Sequence, residues 1–290
     1  MSSIEDMSDS QFQQWSRLLE ERTGMNVQTS RRSFLVTSVR LRMRELGFSD
    51  YQAYYNYLKS GQQGSVEWAT LVDRLTVHET RFFRHTDSAR LIQEYFLPEF
   101  FTENPDADNL HIWSVGCATG EEAYTLAIVL DDYLRAHDLQ KYYGVIGSDI
   151  SLPSLGVARE GIYHRRKLSN VAPSHLERYF TAIDANQYQV NADIRKRVCF
   201  NHLNILEAEK ASLGKMNIIM CQNVLIYFDQ PMRHKILNTL ADHLQLGGIL
   251  ILGHGESLGW AHSELRRIHK FDTLAYCRHR RSKDVQHDHS

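Results

Sequence analysis

The sequence lacks several patterns that mark large classes of protein. Its four cysteines are far apart with no CxxC pair, so they indicate neither a zinc site nor a disulfide framework. None of its 15 histidines lies in an HExxH or HxxxH pattern on a predicted helix, and we predict no metal site. No apolar run approaches the ~20 residues of a membrane-spanning helix, and residues 1–10 lack a secretion signal. We therefore expect a cytoplasmic protein without membrane insertion.

A strong charge of one sign is also missing. The 33 Lys and Arg residues against 35 Asp and Glu residues give a net charge of −2, which argues against a general nucleic-acid partner. What the chain does have is length, 290 residues, and 42% hydrophobic content. This is enough for one large core, or for a core and a smaller second domain.

The first ninety residues have helical patterns. Residues 9–24 carry apolar side chains at positions i, i+3 and i+7, with Asp9 or Ser10 as the predicted N-cap. A second, arginine-rich helix is predicted over residues 29–47, and two shorter helical patterns follow. We predict an N-terminal all-α domain over residues 1–90.

Strands alternate with helices through most of the remaining sequence, residues 91–280. This alternation is typical of βαβ units, and it predicts an α/β fold with a doubly wound, largely parallel sheet. The predicted strands are 110–115, 142–149, 216–221 and 248–254, and the predicted helices are 121–137, 151–161 and 230–245.

Three segments depart from this rhythm. Residues 163–200 contain a helix and two short alternating segments, QYQV and RVCF, which predict a small inserted β subdomain. Residues 271–280 are predicted as an edge strand that pairs with strand 248–254. Residues 281–290 are predicted to be a disordered tail.

A glycine-rich turn, WSVGCATGEE at residues 113–122, follows the first predicted strand. Its GxxxG spacing differs from the GxGxxG of dinucleotide sites, and Glu121 and Glu122 would repel a phosphate. Acids in a first helical turn commonly do no more than complement the helix dipole. If they serve a ligand, an adenosine derivative with cationic groups suits them, and S-adenosylmethionine has an ammonium and a sulfonium. Gly116 would let the backbone approach that ligand.

Two more predicted strands end in residues suited to the same ligand. Asp149 follows the second strand, where it could accept both ribose hydroxyls or equally cap the next helix. Asn223 follows the third, where it could contact cofactor or substrate or simply form a turn. Tyr227, four residues on, could line the site or belong to the core. The carboxyl ends of parallel strands share one edge, so we expect these residues to lie together.

Six segments of the chain together carry a family resemblance: LTVHETRFFRH, WSVGCATGEEAYTLA, GSDIS, NILE, CQNVLIYFD and LGGILILGHGESL. With them the chain resembles, over nearly its whole length, the CheR-type methyltransferases, which methylate glutamates of bacterial chemoreceptors. The segment RTGMNV and the arginine-rich helix are similar to the PilK-like branch of type IV pilus systems. The resemblance implies a Rossmann-like class I methyltransferase sheet that binds S-adenosylmethionine.

The resemblance also implies cofactor contacts at matching positions. His78 stands where the family usually has Asn, so only its own contact is in doubt. Glu122 matches the residue near the methionine amino group, and Asp149 matches the ribose acid. The remaining implied contacts are Thr80, Arg84, Asn204, Ile205, Asn223 and Val224.

Methyl transfer to a carboxylate requires few catalytic groups from the protein. A glutamate acceptor, with a reference pKa of about 4.3, is already a carboxylate at neutral pH and requires no general base. The protein has to exclude water and align oxygen, carbon and sulfur for in-line displacement. For the catalytic residues we predict that Arg84 orients the acceptor carboxylate and that Tyr227 donates a hydrogen bond to it or forms the pocket wall.

The acceptor surface is predicted on the arginine-rich helix. A basic face containing Arg40 and Arg44 would attract glutamate-rich receptor helices, although a charge run is usually a solvated face. We expect a monomer whose partner is the cytoplasmic helices of a methyl-accepting chemoreceptor. Two alternatives are an S-adenosylmethionine-binding regulator without catalysis and an NAD-linked oxidoreductase.

Overall fold

The computed structural model describes residues 4–76 and 79–279 of the chain. The N-terminal part is helical, with a 3-10 turn at Thr29–Arg31 before the second helix. An apolar cluster that includes Trp15 and Tyr54 holds this part together. Its helices are α1 (Asp9–Thr23), α2 (Arg32–Leu46), α3 (Tyr51–Leu58) and α4 (Gly61–Leu75).

The N-cap of α1 differs from the prediction. Ser8 caps the helix, not Asp9 or Ser10: its hydroxyl accepts from the Gln11 amide at 3.2 Å, and the Gln11 side chain accepts from the Ser8 amide at 2.9 Å. This reciprocal pair is a capping box, and it satisfies two amides that the helix leaves without partners. Ser8 was not among the predicted caps, although its side chain is of the same capping type as that of Ser10.

The rest of the chain forms two sheets with helices packed around them. The strands are β1 (Asn109–Val115), β2 (Tyr142–Asp149), β3 (Ile162–His164), β4 (Phe180–Ala182), β5 (Gln187–Val190), β6 (Val198–His202), β7 (Met216–Cys221), β8 (Leu244–Leu252), β9 (Leu265–Ile268) and β10 (Leu274–Arg278). The helices are α5 (Thr86–Arg90), α6 (Leu97–Glu103), α7 (Glu121–Ala136), α8 (Leu152–Glu160), α9 (Pro173–Tyr179), α10 (Ala192–Arg195) and α11 (Gln230–His243). A π-helical turn, Leu91–Phe96, joins α5 to α6.

The larger sheet has the order β6-β2-β1-β7-β8-β10-β9. Its first five strands are parallel, and β10 pairs antiparallel with β8 and β9. The predicted doubly wound, largely parallel sheet is therefore confirmed. Strand β1 lies between β2 and β7, so the strand order reverses beside it, and ligands bind at such a switch point in open α/β sheets.

Two strand predictions are wrong in detail. The RVCF segment, predicted in the inserted subdomain, lies in β6, which pairs with β2 at the edge of the main sheet. Strand β10 pairs with β8 as predicted, but β9 covers its other side and is the edge strand. Alternation of side chains identifies a strand without specifying which sheet it joins, because pairing depends on contacts distant in sequence.

The smaller sheet, β3-β5-β4, is antiparallel and has α9 beside it. We call the segment 162–190 the inserted sheet. Within the ranges 4–76 and 79–279, no helix is long and apolar enough to cross a membrane. The predicted tail, residues 281–290, lies outside the described residues.

Candidate functional site

Two adjoining clefts lie at the carboxyl ends of β1, β2 and β7. The empty space within them, including space open to solvent, is about 690 and 670 Å³. Gly116, Ala118 and Asn223 line both of them. We call the cleft that contains Glu122 the acidic cleft and the one that contains Asp149 the adenosine cleft. The strand ends predicted to share a site therefore do so.

The acidic cleft contains one carboxyl group at the start of a helix. Glu122, in the first turn of α7, accepts a hydrogen bond from Ser114 Oγ at 2.7 Å. Among the residues described here, no Lys, Arg or His forms an ion pair with it. Burial raises the pKa of Glu122 to about 8; the Ser114 hydrogen bond lowers it, the charge of Glu256 raises it, and the charge of Arg84 lowers it. Such a group is prepared to bind a cation.

Its neighbour Glu121 has a structural role. The residue is fully buried, and its Oε1 lies 3.1 Å from Lys167 Nζ. Thr119 Oγ1 donates to its other oxygen at 2.6 Å. Lys167 comes from the inserted sheet, so this ion pair could not be found from the sequence of the loop. The helix-dipole explanation for Glu121 is thus incomplete, and Glu122 alone of the two lines the acidic cleft.

Asp149 lies at the end of β2 and lines the adenosine cleft. One carboxylate oxygen accepts from the Ala118 amide and the other from the Ser151 amide, each at 2.8 Å. The N-cap of the next helix is Ser151, whose hydroxyl accepts from Ser154 N. Helix capping therefore does not explain Asp149. A carboxylate oxygen has more than one acceptor position, so the ribose role stays a prediction compatible with these contacts.

Gly116 lines both clefts, and its lack of a side chain allows two loops to pack closely there. Its φ of 67° is left-handed, and a Cβ added there would lie 2.4 Å from Val224 Cγ2. Val224 belongs to the loop after β7 and lines the adenosine cleft. The glycine therefore permits close packing of the loops that follow β1 and β7.

We expect Gly116→Ala to destabilise the protein by about 1–3 kcal/mol, because it combines a left-handed backbone with a close contact. The displacement of Val224 should also weaken S-adenosylhomocysteine binding. Denaturant unfolding and calorimetry measure the two effects. Gly144→Ala is the matched control on β2, where an added Cβ meets nothing within 4 Å. Equal stability of the two variants would contradict the expectation.

Glu256 holds the loop after β7 in place, and sequence reasoning proposed no role for it. It is buried and accepts from the amides of Gly253, Leu225 and Asn223 at 2.7, 2.9 and 3.3 Å. Asn223 has a left-handed φ of 62°, a backbone conformation that is uncommon for residues other than glycine. The hydrogen bonds to Glu256 stabilise this conformation. The only sequence signal was its place in the GHGESL segment of the family resemblance.

Asn204 and Ile205 line the adenosine cleft as predicted for an adenine-flanking pair. The Asn204 side chain accepts from Leu206 N and donates to Arg22 O, both at 3.1 Å. Arg22 belongs to α1, so the helical domain contacts the loop after β6. The amide of Asn204 thus has structural partners.

The two residues predicted to be catalytic line different clefts. Arg84 lines the acidic cleft with Thr80 and Glu122, and its guanidinium donates to Glu79 O at 2.5 Å. Tyr227 lines the adenosine cleft, and the Arg31 guanidinium lies 5.7 Å from its ring centre. The clefts meet at Gly116 and Asn223, which separate the two residues. His78 lies outside the described residues.

The arginines predicted for the acceptor surface differ in their surroundings. Arg40 donates to Tyr51 Oη at 2.7 Å and forms an ion pair with Asp6. Arg44 is exposed, with no ion pair among the residues that the structure describes. Arg40 therefore stabilises the helical domain directly, whereas Arg44 is available to a partner.

The two clefts fit the two ends of S-adenosylmethionine. The acidic cleft offers the carboxyl of Glu122 for an ammonium group, and Gly116 lines both clefts where they adjoin. The adenosine cleft combines a carboxylate with an apolar lining. That lining consists of Ile150, Leu203, Ile205, Val224 and Phe228.

Comparison with known proteins gives a consistent result. Residues 78–274 match the family described as "CheR methyltransferase, SAM binding domain", and residues 10–76 match "CheR methyltransferase, all-alpha domain". The chain is 34% identical over 256 residues to a chemotaxis protein methyltransferase of Klebsiella aerogenes, covering 87% of this chain and 84% of the relative. It is 32% identical to a protein of the same description from Escherichia coli, covering 90% and 88%. Chemotaxis protein methyltransferase 1 of Pseudomonas aeruginosa is 32% identical, with 87% and 91% covered.

Proposed function

Because the chain belongs to the CheR methyltransferase family and binds S-adenosylmethionine, we propose that its substrates are glutamate side chains of a methyl-accepting chemoreceptor. The product would be a glutamate methyl ester. Membership of this family sets aside the NAD-linked oxidoreductase. The observation that supports the proposal is that Glu122 and Arg84 line the same cleft.

The cofactor supplies a methyl group bound to a positively charged sulfur. A carboxylate oxygen can attack the methyl carbon and displace the sulfur. In our proposal the Glu122 carboxylate binds the ammonium group at the methionine end. Asp149 accepts hydrogen bonds from the ribose hydroxyls, while Asn204 and Ile205 flank the adenine. Gly116, Asn223 and Val224 form the wall between the clefts.

The acceptor carboxylate would enter the acidic cleft beside Arg84. A guanidinium can hold a carboxylate through two parallel N–H donors, which fixes the orientation of the attacking oxygen. Thr80 is placed beside it on the same loop. Tyr227, on the other side of the wall, would act on the adenosine end or at the rim near Arg31, so we assign the orienting role to Arg84.

The acceptor helices would approach across α2. Arg44 is exposed there, with Phe34 and Leu41 also exposed on the same helix. An exposed cation increases the rate at which an acidic helix associates, and salt screens this effect. Arg40, one turn before Arg44 on the same helix, is paired with Asp6.

We expect Arg44→Ala to lower kcat/KM for the receptor about three- to fivefold at low salt and to reduce its salt dependence. The binding constant for S-adenosylhomocysteine should stay unchanged, because Arg44 lines neither cleft. Initial methylation rates at several salt concentrations measure the effect. Arg267→Ala, on the distant edge strand β9, is the control. Identical salt dependence in the two variants would favour a merely solvated helix face.

The proposed function is tested by incubating the protein with cofactor labelled at the methyl group and with receptor-containing membranes. Transfer of label to the receptor is the expected result. A regulator without catalysis would bind S-adenosylhomocysteine in calorimetry but leave the receptor unlabelled. For the pathway we propose the type IV pilus branch, on the basis of RTGMNV and the arginine-rich helix; labelling of the flagellar receptors alone would contradict it.

A further inference from the structure

The loop that includes Thr80 and Arg84 is held in place by the inserted sheet. Lys167 lies in a 3-10 turn that follows β3. Its Nζ donates to the Thr80 carbonyl at 2.6 Å, and its own carbonyl accepts from the Phe82 amide at 3.0 Å. One residue of the inserted sheet thus contacts the loop at two points. We call residues 79–85 the cleft loop.

Other contacts from the same region support the cleft loop. The ring of Phe82 is fully buried and packs edge-on against Tyr163 and Phe180, at centroid distances of 4.9 and 5.0 Å. Asn170 Nδ2 donates to the Phe83 carbonyl at 3.2 Å. Phe83 has a left-handed φ of 51°, a conformation that its surroundings must impose.

Lys167 also neutralises Glu121. The lysine is 26% exposed at its side chain, whereas Glu121 is fully buried. A buried carboxylate without a cation is costly, so this ion pair alone would be a sufficient reason for the lysine. The short bond to the Thr80 carbonyl is a second contact that charge neutralisation does not require.

We propose that Lys167 is a positioning residue for methyl transfer. It connects helix α7, which carries Glu122, to the cleft loop, which carries Arg84, and so sets the two sides of the acidic cleft relative to each other. The importance of this for catalysis rests on the function proposed above. Its effect on the conformation of the cleft loop does not, and the two can be measured separately.

The test compares Lys167→Met/Glu121→Gln with the wild type. The double variant removes both charges, so no ion is left buried without a partner, but it also removes the bond to Thr80. We expect its thermal stability to stay near that of the wild type. Amide exchange over residues 79–85 should become about five- to tenfold faster, as for the loss of one hydrogen bond.

Activity provides the second measurement. With the cleft loop displaced, kcat/KM for the receptor should fall about tenfold, while Lys167→Arg, which keeps the charge and the donors, should recover most of it. Lys196→Met, at an exposed lysine paired with Asp193, is the control. If the double variant folds poorly, Glu121→Gln alone removes the ion pair but keeps the bond from Lys167 to the Thr80 carbonyl, and it should leave exchange over residues 79–85 at the wild-type rate. Faster exchange in that variant would overturn the role of the bond to Thr80.

Wild-type exchange of residues 79–85 in the stable double variant would overturn the proposal and leave Lys167 as a counter-ion only. Faster exchange in the variant supports the positioning role whatever the acceptor is. If the wild type transfers no methyl group, the proposed function fails, and the exchange measurement still decides the role of Lys167.

Discussion

Glu122→Gln is expected to weaken S-adenosylmethionine binding about ten- to hundredfold at pH 8, the usual range for loss of a charged hydrogen-bond partner. At pH 6 it should change the affinity little. The reason is that burial raises the pKa of Glu122 to about 8. The wild-type group is mostly protonated at pH 6, and a protonated carboxyl resembles the amide of glutamine.

Calorimetric titrations between pH 6 and pH 9 measure this effect. The affinity of the wild type should rise with pH by at most about tenfold per unit until the group is ionised. The affinity of the variant should lack this rise, so the two curves converge at low pH. Glu160→Gln, at an exposed glutamate on α8, is the control. Parallel curves for Glu122→Gln and the wild type would contradict the role of Glu122.

The same pKa affects the stability of the ligand-free protein. Its folded value, about 8, lies above the ordinary value of 4.5, so the folded state holds more protons than the unfolded state between these values. Stability from this group is therefore fully present below about pH 4.5 and is lost as the pH rises towards 8, by at most about 1.4 kcal/mol per unit. Glu122→Gln should lack that loss.

Arg84→Ala is expected to lower kcat/KM for the receptor roughly a hundredfold, because the acceptor carboxylate loses its orienting donors. Affinity for S-adenosylhomocysteine should change far less. Arg84→Lys keeps the charge without the planar pair of donors and should recover only part of the rate. Initial methylation rates and calorimetry measure the two quantities.

The control for Arg84 is Arg90→Ala, six residues on, where the guanidinium is half exposed and paired with Glu94. A variant at Arg84 with wild-type rate and wild-type cofactor affinity would remove Arg84 from the mechanism. Loss of cofactor affinity alone would make it a cofactor contact. Either result is distinct from the loss of rate at constant affinity that we expect.

The grouping of Gly116, Asp149 and Asn223 could be predicted from the sequence. Each follows a run typical of a buried parallel strand, and the carboxyl ends of parallel strands meet at one edge. The structure places them around two adjoining clefts. Local patterns were sufficient because the site is built at strand ends.

Contacts made by residues distant in sequence could not be predicted. The partner of Glu121 is Lys167, and the amide of Asn223 donates to Glu256, in both cases more than thirty residues away. Val198 and Cys199 alternate as in any short strand, but their place beside β2 depends on a register that the segment does not encode alone. Lys167 and Glu256, which act through such contacts, were therefore missed.

The most direct test of the proposed reaction is to count products. The protein is incubated with S-adenosylmethionine and receptor membranes, S-adenosylhomocysteine is measured, and the washed membranes are treated with alkali, which releases methanol from methyl esters. We predict one methanol for each S-adenosylhomocysteine formed, with both products lost in parallel in Arg84→Ala. Formation of S-adenosylhomocysteine with methyl groups that resist alkali, or cofactor binding without either product, would contradict glutamate methylation.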